Sequence, residues 1–455
     1  MANTSRAIPE CMNRTVRVQK QESLTTNLYD KLMNQEDARA CKAIDENACR
    51  EVPGNFFLQI ISQFLTQLGD AISNPKIVLP WVLESVAAPL YLLGLLVPIR
   101  ESGSMLPQLL IASHVRRLPI RKWVWVLGSV LQAVSIFGIG LAAWLLQGAL
   151  AGWTIIALLT LFSLARGLCS VASKDVIGKT IPKKQRGRLS GWSSSAAGLI
   201  TLALGALLLM GSSEALTPAH YGIMLAAGGS LWLIAALFYS RVKEFPGETE
   251  GGRNGFLEAL RRLDLLRTDK PFRRFVITRA LMLCSALTAP YYVALAQQHL
   301  GSPTYLLGLF ILGSGAASLI SGPFWGLFAD ISSRKVLIAS ASLTALLGFL
   351  VYAVAQLHSS WLNLAWVLPA VYFVLSIAHQ GVRIGRKTYV IDLAEGNKRT
   401  DYVAVSNTLI GLILLLMGLT GALSSVLDIS EIILAFSCLC VGGAALAVTL
   451  PEIDD

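Results

Sequence analysis

The chain has 455 residues, of which 54% are hydrophobic and only 15% charged, against roughly 25% charged in soluble domains. A water-soluble globule of that length has no interior large enough for so much apolar surface, whereas a bilayer supplies an apolar solvent. The formal net charge of +10 would suggest nucleic acid as a partner, but the Lys and Arg sit in short turns between apolar runs and inside a few of them, a membrane-topology pattern that points away from nucleic acid.

In chain order, residues 1–54 form a polar N-terminal extension with no signal peptide. Leu24, Leu28 and Leu32 recur there at helical spacing, which predicts either a short amphipathic helix on the membrane or a solvated tail. Three of the seven cysteines (Cys11, Cys41, Cys49) lie in this extension, and Cys169, Cys284, Cys438 and Cys440 lie in apolar runs. None has metal-ligand spacing, so no metal or cofactor is expected, and with a cytoplasmic N-terminus no disulfide framework is expected either.

Twelve apolar runs follow, near 55–79, 88–112, 122–146, 152–181, 188–211, 219–241, 272–297, 304–327, 334–356, 361–392, 402–426 and 430–450. At roughly 1.5 Å per helical residue each is long enough to cross a bilayer core. The connectors alternate in charge. Basic ones carry Arg116-Arg117 with Arg121-Lys122, Lys183-Lys184 with Arg186 and Arg188, a long middle segment rich in Arg, Arg334-Lys335, and Lys398-Arg399. The turns around Glu84, Gln147, Glu214, His299, His358 and Asp428 contain almost no Lys or Arg. The positive-inside rule places both termini and the middle segment in the cytoplasm, with the protein in the inner membrane. The expected domains are the extension 1–54, a six-helix bundle over 55–242, a linker over 243–271, a second bundle over 272–450 and a tail over 451–455. Phe256, Leu257, Leu260 and Leu263 predict an amphipathic helix within the linker.

The two halves repeat. Pro89-Leu90-Tyr91-Leu92-Leu93-Gly94-Leu95 matches Pro303-Thr304-Tyr305-Leu306-Leu307-Gly308-Leu309. Arg121-Lys122 matches Arg334-Lys335, Lys174 matches Lys387, and Gly198-Leu199-Ile200 matches Gly411-Leu412-Ile413. Phe57 and Pro75 match Phe272 and Pro290. The near-constant separation implies an all-α membrane protein of twelve transmembrane helices in two pseudo-symmetric six-helix bundles. Parallel half-repeats of this kind place a substrate site at their interface near the bilayer midplane.

Gly326, Asp330, Arg334 and Lys335, in the segment Gly-Leu-Phe-Ala-Asp-Ile-Ser-Ser-Arg-Lys, resemble the signature loop of the major facilitator superfamily. The first-half copy keeps Arg121 and Lys122 but has Ser113 and Arg117 in place of the Gly and Asp. Arg166-Gly167, followed by Pro182 and Arg186-Gly187-Arg188, is also similar to that family. The resemblance covers roughly 55–450. It implies that Asp330 caps or bridges a neighbouring helix end and that the basic pair fixes the loop. Alternatively, the basic pair only sets topology.

Charges inside the apolar runs cost roughly 2.5–3.5 kcal/mol each at mid-helix, so they must pair or face water. Span one places Gln59, Ser62, Gln63, Thr66, Asp70, Ser73 and Asn74 on one face. Span two has Arg100-Glu101, span four Arg166, Lys174 and Asp175, span seven Arg279, and span ten His379, Arg383, Arg386 and Lys387. Asp70, Glu101 and Asp175 are the candidate proton-coupling carboxylates. Arg100, Arg166, Lys174, Arg279, His379, Arg383, Lys387, Gln63 and Asn74 are the candidate substrate-binding residues. Cations outnumber anions, and a bound anion would balance them. The alternative is that Lys174, Lys179, Arg386 and Lys387 lie near the cytoplasmic mouth and snorkel to water.

The expected function is secondary transport of a small anionic or amphiphilic organic solute by alternating access, by a monomer in membrane lipid with protons as a coupling partner. The alternatives are a drug exporter and a transporter-like sensor or lipid-handling protein. No sequence motif for an intramembrane enzyme is found.

Overall fold

A computed structural model gives the structure. It describes residues 50–452 apart from 107–110, 112–113, 116, 183–184, 211–214, 248, 250–261, 358–359 and 394–396. The expected helix around Leu24–Leu32, most of the one around Phe256–Leu260, and Ser113 lie outside the described residues. Among those described, regular structure is helical except for one antiparallel bridge between Ala215 and Pro303. Among the described residues, ten helical segments are long and apolar enough to cross a membrane. The first two spans complete the twelve in a more broken form.

Span one is the clearest departure from the expected boundaries. It runs as Val52–Ile72, stops, and resumes as Val78–Ser85, instead of ending near residue 79. Pro75 has no N–H and clashes with a continuing helix. The carbonyl of Asn74 then accepts from the backbone N–H of Ile77, Val78 and Leu79 at 3.3, 2.8 and 3.0 Å. The Asn74 side chain accepts from Lys76 N at 2.8 Å. Span seven breaks in the matching place: Lys270–Leu281 ends, a short turn intervenes, and Ala289–Leu300 restarts with Pro290 in its first turn, where a missing N–H does no harm. Span two is helical over Leu93–Met105, and span eleven finishes in 3-10 turns over Gly418–Ser425. The other long spans are Lys122–Leu145, Gly148–Thr180, Arg186–Leu209, Pro218–Ser240, Thr304–Ile331, Ser333–Gln356, Val367–Asp392 and Ile429–Val448.

The halves meet unevenly. The largest apolar cluster joins residues of both, from Trp81, Val82 and Leu92 to Tyr292, Leu306 and Phe310. It lies toward the face opposite the basic connectors. There span two crosses span eleven so closely that a Cβ on Gly94 would stand 2.3 Å from the Cα of Gly421. Span five meets span eight in the same way, with a Cβ on Gly205 only 2.7 Å from Leu312 N. The Ala215–Pro303 bridge ties the two halves on this face as well. Toward the basic face each remaining cluster stays within one half, around Phe275 and Tyr389, Trp125 and Tyr239, Phe56 and Ile181, or Trp325 and Val336. Gly191 on span five and Gly322 on span eight have nothing within 4 Å of an added Cβ. The two bundles are therefore closed on one face and parted on the other.

Candidate functional site

The parting is a cavity of about 620 Å³ whose lining runs from Asp70 and Asn74 on span one through Ser194 and Thr201 on span five to Ser314, Ser318 and Pro323 on span eight and Gln380 and Arg383 on span ten. A second chamber of about 210 Å³ continues it deeper. The chamber shares Asn74, Ser314, Ser318, Gln380 and Arg383 and adds Lys76, Ser285, Tyr372, Ser376 and His379. Hydroxyl and amide side chains stand in both walls, among Ala, Gly, Ile and Leu in the larger cavity. Among the described residues of the two linings the charged side chains are Asp70, Lys76 and Arg383, with His379 as a further titratable group.

Asp70 is already bonded to two arginines. Its Oδ1 accepts from Arg100 Nη2 at 2.8 Å, and Arg166 Nη1 donates to both carboxylate oxygens. Arg100 also lies over the Phe162 ring, 4.9 Å from its centroid, a contact that compensates partial desolvation of a cation. Arg100 and Arg166 are thus turned onto Asp70, and neither lines the two chambers. Gln63 accepts from Ser193 Oγ at 3.2 Å and packs span one on span five. Arg279 is buried and donates to Ser406 Oγ and Asn407 Oδ1, both at 2.8 Å. It ties span seven to span eleven through neutral partners.

Glu101 borders a water-sized hollow that adjoins the deep chamber at Ser285, His379 and Arg383. Arg279 and Arg386 line the same hollow, and Glu101 lies within electrostatic reach of Lys76, Arg383, Arg100 and Arg386. Lys174 and Lys387 are exposed near the basic face. They lie within electrostatic reach of each other, as their equivalent places in the two repeats suggest.

The conformational residues sit at the basic face. Arg121 Nη1 bonds Asp175 Oδ2 at 3.0 Å, so Asp175 belongs with the loop rather than the chambers. Lys122 Nζ donates to the carbonyls of Ser240 and Val242 at 2.9 and 2.8 Å. Arg334 donates to Leu450 O at 3.0 Å and Glu452 at 2.8 Å, and Lys335 lies 3.6 Å from the same carboxylate. Gly326 has open space above it, and Asp330 is exposed with no hydrogen bond or ion pair to it among the described residues. The loop is fastened by its basic pairs in each half, not by that acid.

Two groups of functional candidates are absent from the sequence reading. Glu244, just beyond span six, accepts from the backbone N–H of Arg121 and Lys122 at 2.8 and 2.7 Å and from Lys179 Nζ at 2.8 Å; Glu452 is its second-half counterpart. Lys76 is the other. Its Nζ lies 2.9 Å from His379 Nε2 across the two halves. The available signal was the repeat-related Pro75 and Pro290, since interrupted helices in matching positions point to a transport site.

The sequence profile of the Major Facilitator Superfamily matches residues 60–322, more than half of the chain. The chain belongs to the major facilitator superfamily. As a transporter of this family it is similar to an uncharacterized MFS-type transporter of Methanocaldococcus jannaschii, with 24% identity over 375 residues, covering 80% of this chain and 86% of that one. Among solved structures, the transporter resembles the nucleoside transporter NupG (TM-score 0.67, 13% identity, 87% of this chain and 99% of that chain). It also resembles a D-xylose-proton symporter (TM-score 0.67, 15% identity, 89% and 99%), and the inward open xylose transporter XylE from E. coli (TM-score 0.64, 14% identity, 88% and 97%). These likenesses show the fold. The family also answers the enzyme question: its members move solutes.

Proposed function

We propose that this transporter carries a small, hydroxylated organic anion by alternating access, coupled to protons, and acts as a monomer. Its basic face and both termini lie in the cytoplasm by the positive-inside rule, so the cavity faces inward. One observation carries the substrate class. Of the charged groups among the described residues lining the two chambers, Asp70 is spent on Arg100 and Arg166, which leaves Lys76 and Arg383 on the walls, with Glu101 outside the lining as the acid within electrostatic reach of both. A solute carboxylate or phosphate would accept from both, and charge-assisted bonds of this kind are about twice as strong as neutral ones. The serine, asparagine and glutamine walls suit hydroxyl groups. Xylose and nucleoside, named for the structural neighbours, are hydroxylated too, and the two cations add the requirement for negative charge.

Export of lipophilic cations fits less well, because Tyr372 is the single Phe, Tyr or Trp among the described residues of the two linings. A thermal-shift screen of the purified protein against sugar acids, sugar phosphates and lipophilic ammonium compounds separates the readings. Stabilisation by an anion is expected. Stabilisation by the ammonium compounds and by no anion would overturn the substrate class.

A further inference from the structure

The deep chamber contains a hydrogen-bonded chain with a defined direction. Ser285 Oγ donates to Met282 O at 2.9 Å, so its remaining capacity toward His379 Nδ1, 3.1 Å away, is to accept. Nδ1 therefore carries the imidazole proton, and Nε2 of the neutral ring accepts from the Lys76 ammonium, which has donors only. Lys76 comes from the first half, while His379 and Ser285 come from the second. The contact thus bridges the halves inside the chamber that also presents Arg383.

We propose that Lys76 and Arg383 clamp the anionic group of the solute in this chamber, and that the withdrawal of Lys76 from His379 toward the solute frees Nε2 to take a proton. Anion and proton are then taken up together, one for one. This deepens the proposed transport of an organic anion and rests on it.

The charges around the ring set the order of events. With Lys76 in place, a proton on Nε2 would face an ammonium 2.9 Å away, donor against donor. Arg383 and Arg386 on the same span lie within electrostatic reach and add to the repulsion. From span seven Arg279 borders the adjoining hollow, and from span two Arg100 and Glu101 approach, with Glu101 the acid among them. Span eight presents Ser314 and Ser318. A solute carboxylate or phosphate removes both obstacles at once: it takes the ammonium's hydrogen bond and places a negative charge beside the ring. By linkage, the anion raises proton affinity and the proton raises anion affinity by the same factor.

The sequence supports the asymmetry. Pro75 and Pro290 are repeat-related, and the residue after each is Lys76 in one half and Tyr291 in the other. The second half has no lysine at this point, so a single ammonium serves the shared chamber.

The test uses the full chain in proteoliposomes with labelled gluconate, glucose 6-phosphate and malate. Wild-type affinity for whichever probe binds should rise as the pH falls, and an inward proton gradient should drive accumulation. K76M should weaken that affinity by at least roughly tenfold, and K76R, which keeps the charge, should recover most of it. H379Q should abolish the pH dependence of affinity and the accumulation driven by the proton gradient. A K76M protein with unchanged affinity, or an H379Q protein that still accumulates solute down a proton gradient, overturns the inference while leaving the anion reading intact. If none of the probes binds the wild type, the anion reading itself fails, and the clamp with it.

Discussion

At the scale of single residues, the cluster of Asp70, Arg100 and Arg166 has one acid for two bases, with side-chain exposures of 22%, 12% and 36%. Removing the acid from a buried ion cluster strands its partners, at about 3–5 kcal/mol. The exposure of Arg166 lets water compensate part of that, so D70N should destabilise by an amount near the lower end, about 3 kcal/mol. Thermal unfolding in detergent would register it, and D70N/R166Q should recover part of the loss because one stranded cation is gone. If D70N melted at the wild-type temperature, the arginines would have to be satisfied elsewhere. Asp70, Arg100 and Arg166 could all be read from the sequence, since a charge in an apolar run stands out whatever it touches. Lys76 could not. With span one taken to end near residue 79, a lysine three residues inside looks like an interfacial anchor free to reach water. The helix in fact restarts at Val78 and continues to Ser85, so the lysine lies mid-path and partly buried.

Among elements, the loop joining spans two and three and its counterpart in the second half are fastened in matching ways but with unequal strength. Glu244 receives two backbone N–H groups and one lysine, with its side chain fully enclosed, while Glu452 meets Arg334 and Lys335 with 37% of its side chain exposed. Hydrogen bonds to a charged acceptor contribute about 1.5–3 kcal/mol when buried, whereas exposed pairs are worth about 0–1 kcal/mol. E244A should therefore destabilise by about 2 kcal/mol or more and E452A by less than about 1 kcal/mol, compared by melting of the two variants side by side. Equal effects would mean that the enclosure of Glu244 does not matter. The basic halves of these clamps were legible as Arg121-Lys122 and Arg334-Lys335. Their acids were not, because Glu244 and Glu452 lie more than a hundred residues away in sequence and only the return of the sixth span in each half brings them near. The family resemblance drew attention instead to Asp330, which stands exposed.

For the molecule as a whole, twelve apolar runs and a repeat of near-constant separation were enough to specify two related bundles, because hydrophobic length and backbone satisfaction leave a membrane chain few choices. Which face of the pair is shut could not be read that way. It depends on the same two helices touching at one end and parting at the other: spans five and eight meet at Gly205 and Leu312 yet stand open at Gly191 and Gly322. A rocking motion about the central chambers would exchange these roles, bringing Gly191 and Gly322 together as the Gly205 contact separates. The double variant G191C/G322C, exposed to a short bis-maleimide during solute exchange, should therefore cross-link during turnover and then stop transporting. Both positions face open space, so the cysteines themselves add little strain. Cross-linking should rise when a transported solute is present, since the solute draws the molecule through the state closed at this face. If the two cysteines never couple while transport proceeds at the wild-type rate, spans five and eight do not approach there, and the rocking of the two bundles is not how this protein exposes its chambers to the other side.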